Sequence, residues 1–153
     1  DSILEGLTSR IDGTGLGLRY SKFFDQGVLS IDVASFIELS PEKDWVIEAF
    51  YSHVIPYKNW DFNLGAGLSY FTPSIIDYYI GVDEHEASEL RPEFESNGAF
   101  KSELEFLART PLTKKWMLML GASHTLYSSH IKRSPIVSRN DVTMFTLGFL
   151  YAF

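Results

Sequence analysis

The stretch Asp141-Val142-Thr143-Met144-Phe145-Thr146-Leu147-Gly148-Phe149-Leu150-Tyr151-Ala152-Phe153 decides how the fold is read. With a period of two, Phe145, Leu147, Phe149, Tyr151 and Phe153 share one face, while Thr146, Gly148, Leu150 and Ala152 share the other. One face is wholly apolar and mostly aromatic; the other is small or mixed. Successive side chains of a strand point to opposite faces, so this is strand patterning. A strand that crosses a bilayer shows the same dyad and needs roughly 9–11 residues to span. The alternation continues to Phe153, where the last residues of a soluble domain would usually fray in water. The competing reading at this point is a half-buried strand of a soluble sheet.

Composition narrows the choice. A chain of 153 residues is one domain's worth, and 1–153 is read as a single domain. A net charge of -7 speaks against nucleic-acid binding, which needs clustered Lys and Arg against phosphate. With no Cys there is no disulfide framework, thiolate metal site or Cys nucleophile, which suits an exported protein. Twelve Phe and eight Tyr make the chain aromatic, yet no run of about 18 apolar residues marks a transmembrane helix. Asp1 is not an initiator Met, so either a leader has been removed or the chain is the later part of something longer.

Alternation recurs along the chain, broken by turn residues. Segment 3–11 is the faintest, because Glu5, Gly6 and Arg10 blur it; Asp12-Gly13 then signals a tight hairpin. Further segments are expected at 14–24, 28–39, 44–55, 60–70, 100–109, 116–127 and 141–153, with turns at 25–27, 40–43, 56–59 and 110–115 and long connections at 72–97 and 129–137. The clearest internal one sets Trp60, Phe62, Leu64, Ala66, Leu68 and Tyr70 against Asp61, Asn63, Gly65, Gly67 and Ser69. No helix of useful length is expected.

Two placements fit such strands: a lipid-facing barrel, or a lipocalin-like soluble barrel with an apolar interior. The polar face separates them. It carries Gly15, Gly17, Gly65, Gly67, Gly121 and Gly148 among isolated charges rather than a Lys/Glu-rich coat. An eight-stranded barrel has an interior only just wide enough for side chains, so small residues fit its inside. Trp60 and Trp116 at strand starts, with Tyr70, Tyr151 and Phe153 at strand ends, match interfacial aromatic girdles. With the C-terminus on the periplasmic side, the short connections at 25–27, 56–59 and 110–115 fall there and the long ones at 72–97 and 129–137 outside, while the Asp12-Gly13 and 40–43 links add nothing to the contrast. The expectation is an all-β antiparallel transmembrane β-barrel of about eight strands in the bacterial outer membrane, in contact with its lipid. Arg19, Asp32, Glu48, Lys101, Glu103, Glu105 and Arg109 would then point inward, as a salt-bridged plug or as the lining of a polar pathway.

Tyr78-Tyr79-Ile80-Gly81-Val82, followed by Glu86-Ala87 and Leu90, Trp116 in a strand, Ser134-Pro135-Ile136-Val137, and a closing Tyr151-Ala152-Phe153, resembles the family of MltA-interacting protein and outer membrane protein V. The likeness is specific over 78–153. Before that it rests on Leu4-Glu5-Gly6-Leu7, Arg10 and the Trp60 strand. Members look like larger barrels with strands upstream, so the resemblance implies either the C-terminal part of a larger barrel or a shortened member. It implies a non-enzymatic scaffold linking a murein lytic transglycosylase and a penicillin-binding protein, with porin-like or adhesive roles as alternatives. It supplies no catalytic residue and no cofactor.

Other motifs weigh less. Asp83-Glu84-His85-Glu86 is more often a solvated charged run than a metal cluster. Gly13-Thr14-Gly15-Leu16-Gly17 lacks the spacing and the Lys-Ser/Thr of a phosphate loop. Ser123 and His124 are adjacent on a strand and therefore face opposite sides, which breaks any Ser-His arrangement.

Overall fold

A computed structural model of the chain describes residue 7, residues 14–36 and residues 44–152. Among these residues there are seven strands: β1 (Gly15–Phe24), β2 (Gly27–Phe36), β3 (Trp45–Tyr57), β4 (Trp60–Phe71), β5 (Ala99–Pro111), β6 (Trp116–Tyr127) and β7 (Asp141–Tyr151). They form one antiparallel sheet in sequence order, with β1 and β7 at its edges. The expected segment 3–11, the Asp12-Gly13 turn, the 40–43 link and Phe153 lie outside the described residues. The sheet is all next-neighbour pairing, and the β1 and β7 edges are not paired with each other. A strand of 12 residues such as β4, at about 3.4 Å per residue and tilted by about 40°, spans roughly 30 Å. That is the thickness of a hydrocarbon core.

Register turns the alternation into two continuous faces. Leu18, Val33, Ile47 and Tyr70 lie on one ladder line, and Phe106, Ala122 and Phe145 on another of the same face. This apolar face is open: Leu18 is 84% exposed and Phe145 83%. A protein in water seldom leaves so large a contiguous apolar surface bare. Its tryptophans stand at strand ends, with Tyr70 and Tyr151 at strand ends beside them. Trp60, Phe62 and Phe106 stack in sequence at one end, and Trp116 meets Tyr151 there at 5.0 Å. Tyr70 stands at the other end, between Trp45 at 5.9 Å and Phe100 at 5.0 Å.

The turns at 25–26, 58–59 and 112–115 are short, whereas residues 72–98 and 128–140 make the two long connections. The expected turn at 56–59 is shorter than its signal, because β3 runs through Pro56 to Tyr57. Val54 directs its N–H towards β2, bonding Gln26 O at 2.7 Å; by alternation Pro56 faces that same side. There β2 has already ended, since Gly27 pairs with His53. A proline is tolerated where the ladder asks for no donor.

The expectation of no helix is corrected. Helix α1 (Pro73–Ile80) and two 3₁₀ turns, Glu84–Glu86 and Ser129–Arg133, occupy the long connections. Eight residues are too few to display a 3.6-residue period, so only Pro73 at the helix start gives a local signal. These connections hold most of the buried apolar core: Ile75, Ile76, Val82 and Ile131, with Ala99 at the start of β5.

The glycines of the charged face have a packing role. Phe50 pairs with Gly67, and its ring lies over Gly65 and Gly67. A Cβ at either would stand 2.5 or 2.6 Å from that ring, against 3.5 Å to Met119 at Gly148. Gly65→Val and Gly67→Val are therefore expected to destabilise by about 1–3 kcal/mol, as overpacking does. Gly148→Ala stays near neutral. Chemical unfolding of the detergent-refolded protein, followed by tryptophan fluorescence, measures the difference.

Candidate functional site

All seven charged positions singled out from the sequence share the face opposite the aromatic belt. Arg19 pairs with Asp32, Asp32 with Glu48, Glu48 with Ser69 and Ser69 with Lys101, so one ladder line crosses five strands. Arg19 Nε donates to Asp32 Oδ1 at 2.6 Å. Glu48 Oε2 accepts from Ser69 Oγ at 2.7 Å and from Lys101 Nζ at 3.2 Å. Lys101 Nζ also reaches Glu103 Oε2 at 3.1 Å. The structure thus joins Arg19 to Asp32, and Lys101 to Glu48 and Glu103. Glu105 and Arg109 are hydrogen-bonded to neither group, although Glu105 lies within electrostatic reach of Lys101, Glu48 and Glu103. Glu105 lies opposite Gly65 and Ser123, and Arg109 lies opposite Asp61 and Met119.

Two members of this face carry no signal in a list of charges. Ser69 is 1% exposed and holds Glu48 in place. Phe50 is an aromatic on the polar face, legible only once Gly65 and Gly67 are set opposite it.

The long connections fold over this same face. Phe71, Ala99 and Tyr127 share its parity with Ser69, Lys101 and Thr125, and Ile76 and Ile131 pack against them together with Ile80 and Val137. The cap therefore sits at the ends of β4, β5 and β6 away from the short turns, on the side of the charges. It joins two sequence motifs that lie far apart in the chain: Ser134 Oγ donates to Ile80 O at 2.6 Å. His130 Nε2 hydrogen-bonds Gly98 O, and Ser96 N donates to Asp77 Oδ1. Gly98 has φ +89, a conformation that glycine takes without steric cost. Burial holds the Asp77 carboxyl above its ordinary range, Glu95 and Asp83 push it further up, and the Ser96 N–H opposes them.

Asp83, His85 and Glu86 come within 4.8 Å of one another, but the Glu86 carboxylate turns back to accept the Asp83 N–H and cap its own 3₁₀ turn. His124 lies on the apolar face, in contact with Thr143 Oγ1 at 2.9 Å, while Ser123 pairs with Glu105 on the opposite face. Ser123 and His124 therefore do not meet.

No helix of the described residues is long and apolar enough to cross a membrane, which leaves crossing by strands untouched. The family model of MltA-interacting protein MipA matches residues 1–153. Outer membrane protein Omp26La of Vibrio anguillarum is 28% identical over 134 residues, covering 88% of this chain and 52% of that protein. Outer membrane protein OmpV of Vibrio cholerae matches at the same identity and coverage. A putative outer membrane protein YiaT of Escherichia coli is 23% identical over 116 residues, 75% of this chain and 47% of its own length. The chain thus spans about half the length of the curated relatives it matches. No solved structure matches.

Lys101 is the cation on which two carboxylates converge, and its side chain is only 17% exposed; Arg19 is 68% exposed. Lys101→Met leaves Glu48 and Glu103 uncompensated and is expected to cost about 1–3 kcal/mol. Arg19→Gln costs less than about 1 kcal/mol, as exposed pairs do. Unfolding of both variants under one detergent condition reads the order; an equal cost would remove the distinction.

Proposed function

The chain belongs to the family of MltA-interacting protein MipA, and from that premise we propose that it is a non-enzymatic outer-membrane scaffold that docks a murein lytic transglycosylase and a penicillin-binding protein on its periplasmic side. The observation that carries this reading is the state of the charged face. Its central cation is engaged between Glu48 and Glu103, and the folded cap lies over its outer end. A solute pathway would have to pass both, so the porin-like alternative is the weaker one. The adhesive alternative has only the family likeness behind it.

A scaffold needs no catalytic group, only a rigid edge. The short turns at 25–26, 58–59 and 112–115 supply one, held by hairpins paired almost to their tips. Beside the 112–115 turn, Lys114 and Lys115 stand with Trp116 and Tyr151 around a hollow of about 390 Å³. Trp116 and Tyr151 are aromatic anchors of the kind enriched at protein contacts.

Immobilised folded protein is expected to enrich a purified lytic transglycosylase, and a bifunctional penicillin-binding protein, over an unrelated outer-membrane barrel. Exchanging the 112–115 turn for Asn-Gly should abolish capture. Equal recovery on both barrels contradicts the scaffold reading.

A further inference from the structure

At the periplasmic end of β1, β2 and β3 the apolar face is interrupted by a compact polar group. Two neighbouring ladder lines place it: Lys22, Leu29 and Tyr51 on one, Phe24, Gly27 and His53 on the next. All six residues face the side of Leu18, Ile31 and Ile47. Their contacts form a chain. Lys22 Nζ lies 5.3 Å from the centre of the Phe24 ring, Phe24 meets Tyr51 edge-on at 6.2 Å, and the Tyr51 hydroxyl is in hydrogen-bond contact with His53 Nδ1 at 3.2 Å.

Phe24, Gly27, Tyr51 and His53 line a hollow of about 600 Å³ together with Phe23 and the 25–26 turn, and Lys22 stands beside it over the Phe24 ring. Stagger creates it. The β1–β2 hairpin turns opposite His53, while β3 continues to Tyr57. Gly27 is its floor: a Cβ there would stand 2.5 Å from the Tyr51 hydroxyl. A side chain there would force that hydroxyl to shift.

A cation on a lipid-facing surface snorkels to the headgroup level, its stem lying along apolar neighbours. Here it does so beside two further polar side chains, with Asp25 in the adjoining turn. Beyond them Leu18, Tyr20, Ile31 and Val33 continue the surface as an apolar strip. An amphipathic ligand with a zwitterionic head matches this order, its anion towards Lys22, Tyr51 and His53 and its cation towards Asp25.

We propose that this hollow is a binding site for the headgroup of phosphatidylethanolamine in the inner leaflet, with the acyl chains along the Leu18–Ile31 side. The phosphate takes the Lys22 ammonium and the Tyr51 hydroxyl; the primary ammonium takes Asp25. The site rests on the outer-membrane placement of the chain and is independent of the scaffold reading.

Native mass spectrometry of the folded protein, titrated in detergent with phosphatidylethanolamine, phosphatidylcholine and phosphatidylglycerol, tests it. Phosphatidylethanolamine should be retained in preference to both others. Lys22→Gln should lower its retention about fivefold, the weight of one cation near a membrane surface. Asp25→Asn should move the preference to phosphatidylglycerol, and Gly27→Ala should weaken retention of all three. Equal retention of the three lipids, a native preference for phosphatidylglycerol, or retention unchanged in Lys22→Gln would each overturn the proposal. Far-UV circular dichroism of the variants separates a lost site from a lost fold.

Discussion

A polypeptide crossing hydrocarbon has to satisfy each backbone N–H and C=O within itself, because no water is there to do it. Everything else in this molecule follows from how its strands meet that demand. Each of β2 to β6 is paired on both sides, in unbroken antiparallel register, over nine to twelve residue pairs per ladder. Where pairing lapses, the sequence compensates: Pro56 faces the side on which β2 has ended and so leaves no donor stranded. The ladder fixes which residues share a face. Arg19, Asp32, Glu48, Ser69 and Lys101 meet across five strands only because each register is held.

The two faces solve different problems. On the aromatic side the rings pack only against one another along the sheet, and their outward surface is left open for lipid. On the charged side the chain supplies its own partners, through carboxylates shared by Lys101 and a phenyl ring seated on two glycines. The conventional apolar core is displaced to the cap, where Ile76, Ile131 and Ala99 close over the ends of three strands away from the short turns. A slip of one residue in any register would exchange the faces and bury charge in hydrocarbon.

Much of this was legible in the sequence, for a physical reason. Alternation with period two is a local signal that survives averaging over ten residues, so the segments around 60–70, 100–109, 116–127 and 141–151 were visible before any coordinate. The faces of the seven charges followed from their parity. Partnership did not: that Lys101 takes Glu48 and Glu103 while Arg109 stands apart depends on register between strands, which no single strand encodes. Helix α1 was hidden because one amphipathic turn or two shows no period. The meeting of Ile80 with Ser134 is a contact between connections, set by loop folding rather than by patterning.

The central claim is that the aromatic face meets lipid and the charged face is enclosed. The chain has no Cys, so single cysteines can carry nitroxide labels without background. Labels at Leu64, Phe106 and Leu147, and at Ser123, Glu105 and Thr146 on the opposite face, would be read in bilayers for collision with oxygen and with a water-soluble nickel chelate. The account predicts that oxygen dominates at the first three and the lipid-soluble signal is lost at the second three. Reversal of that order, or equal chelate access at both sets, would contradict it.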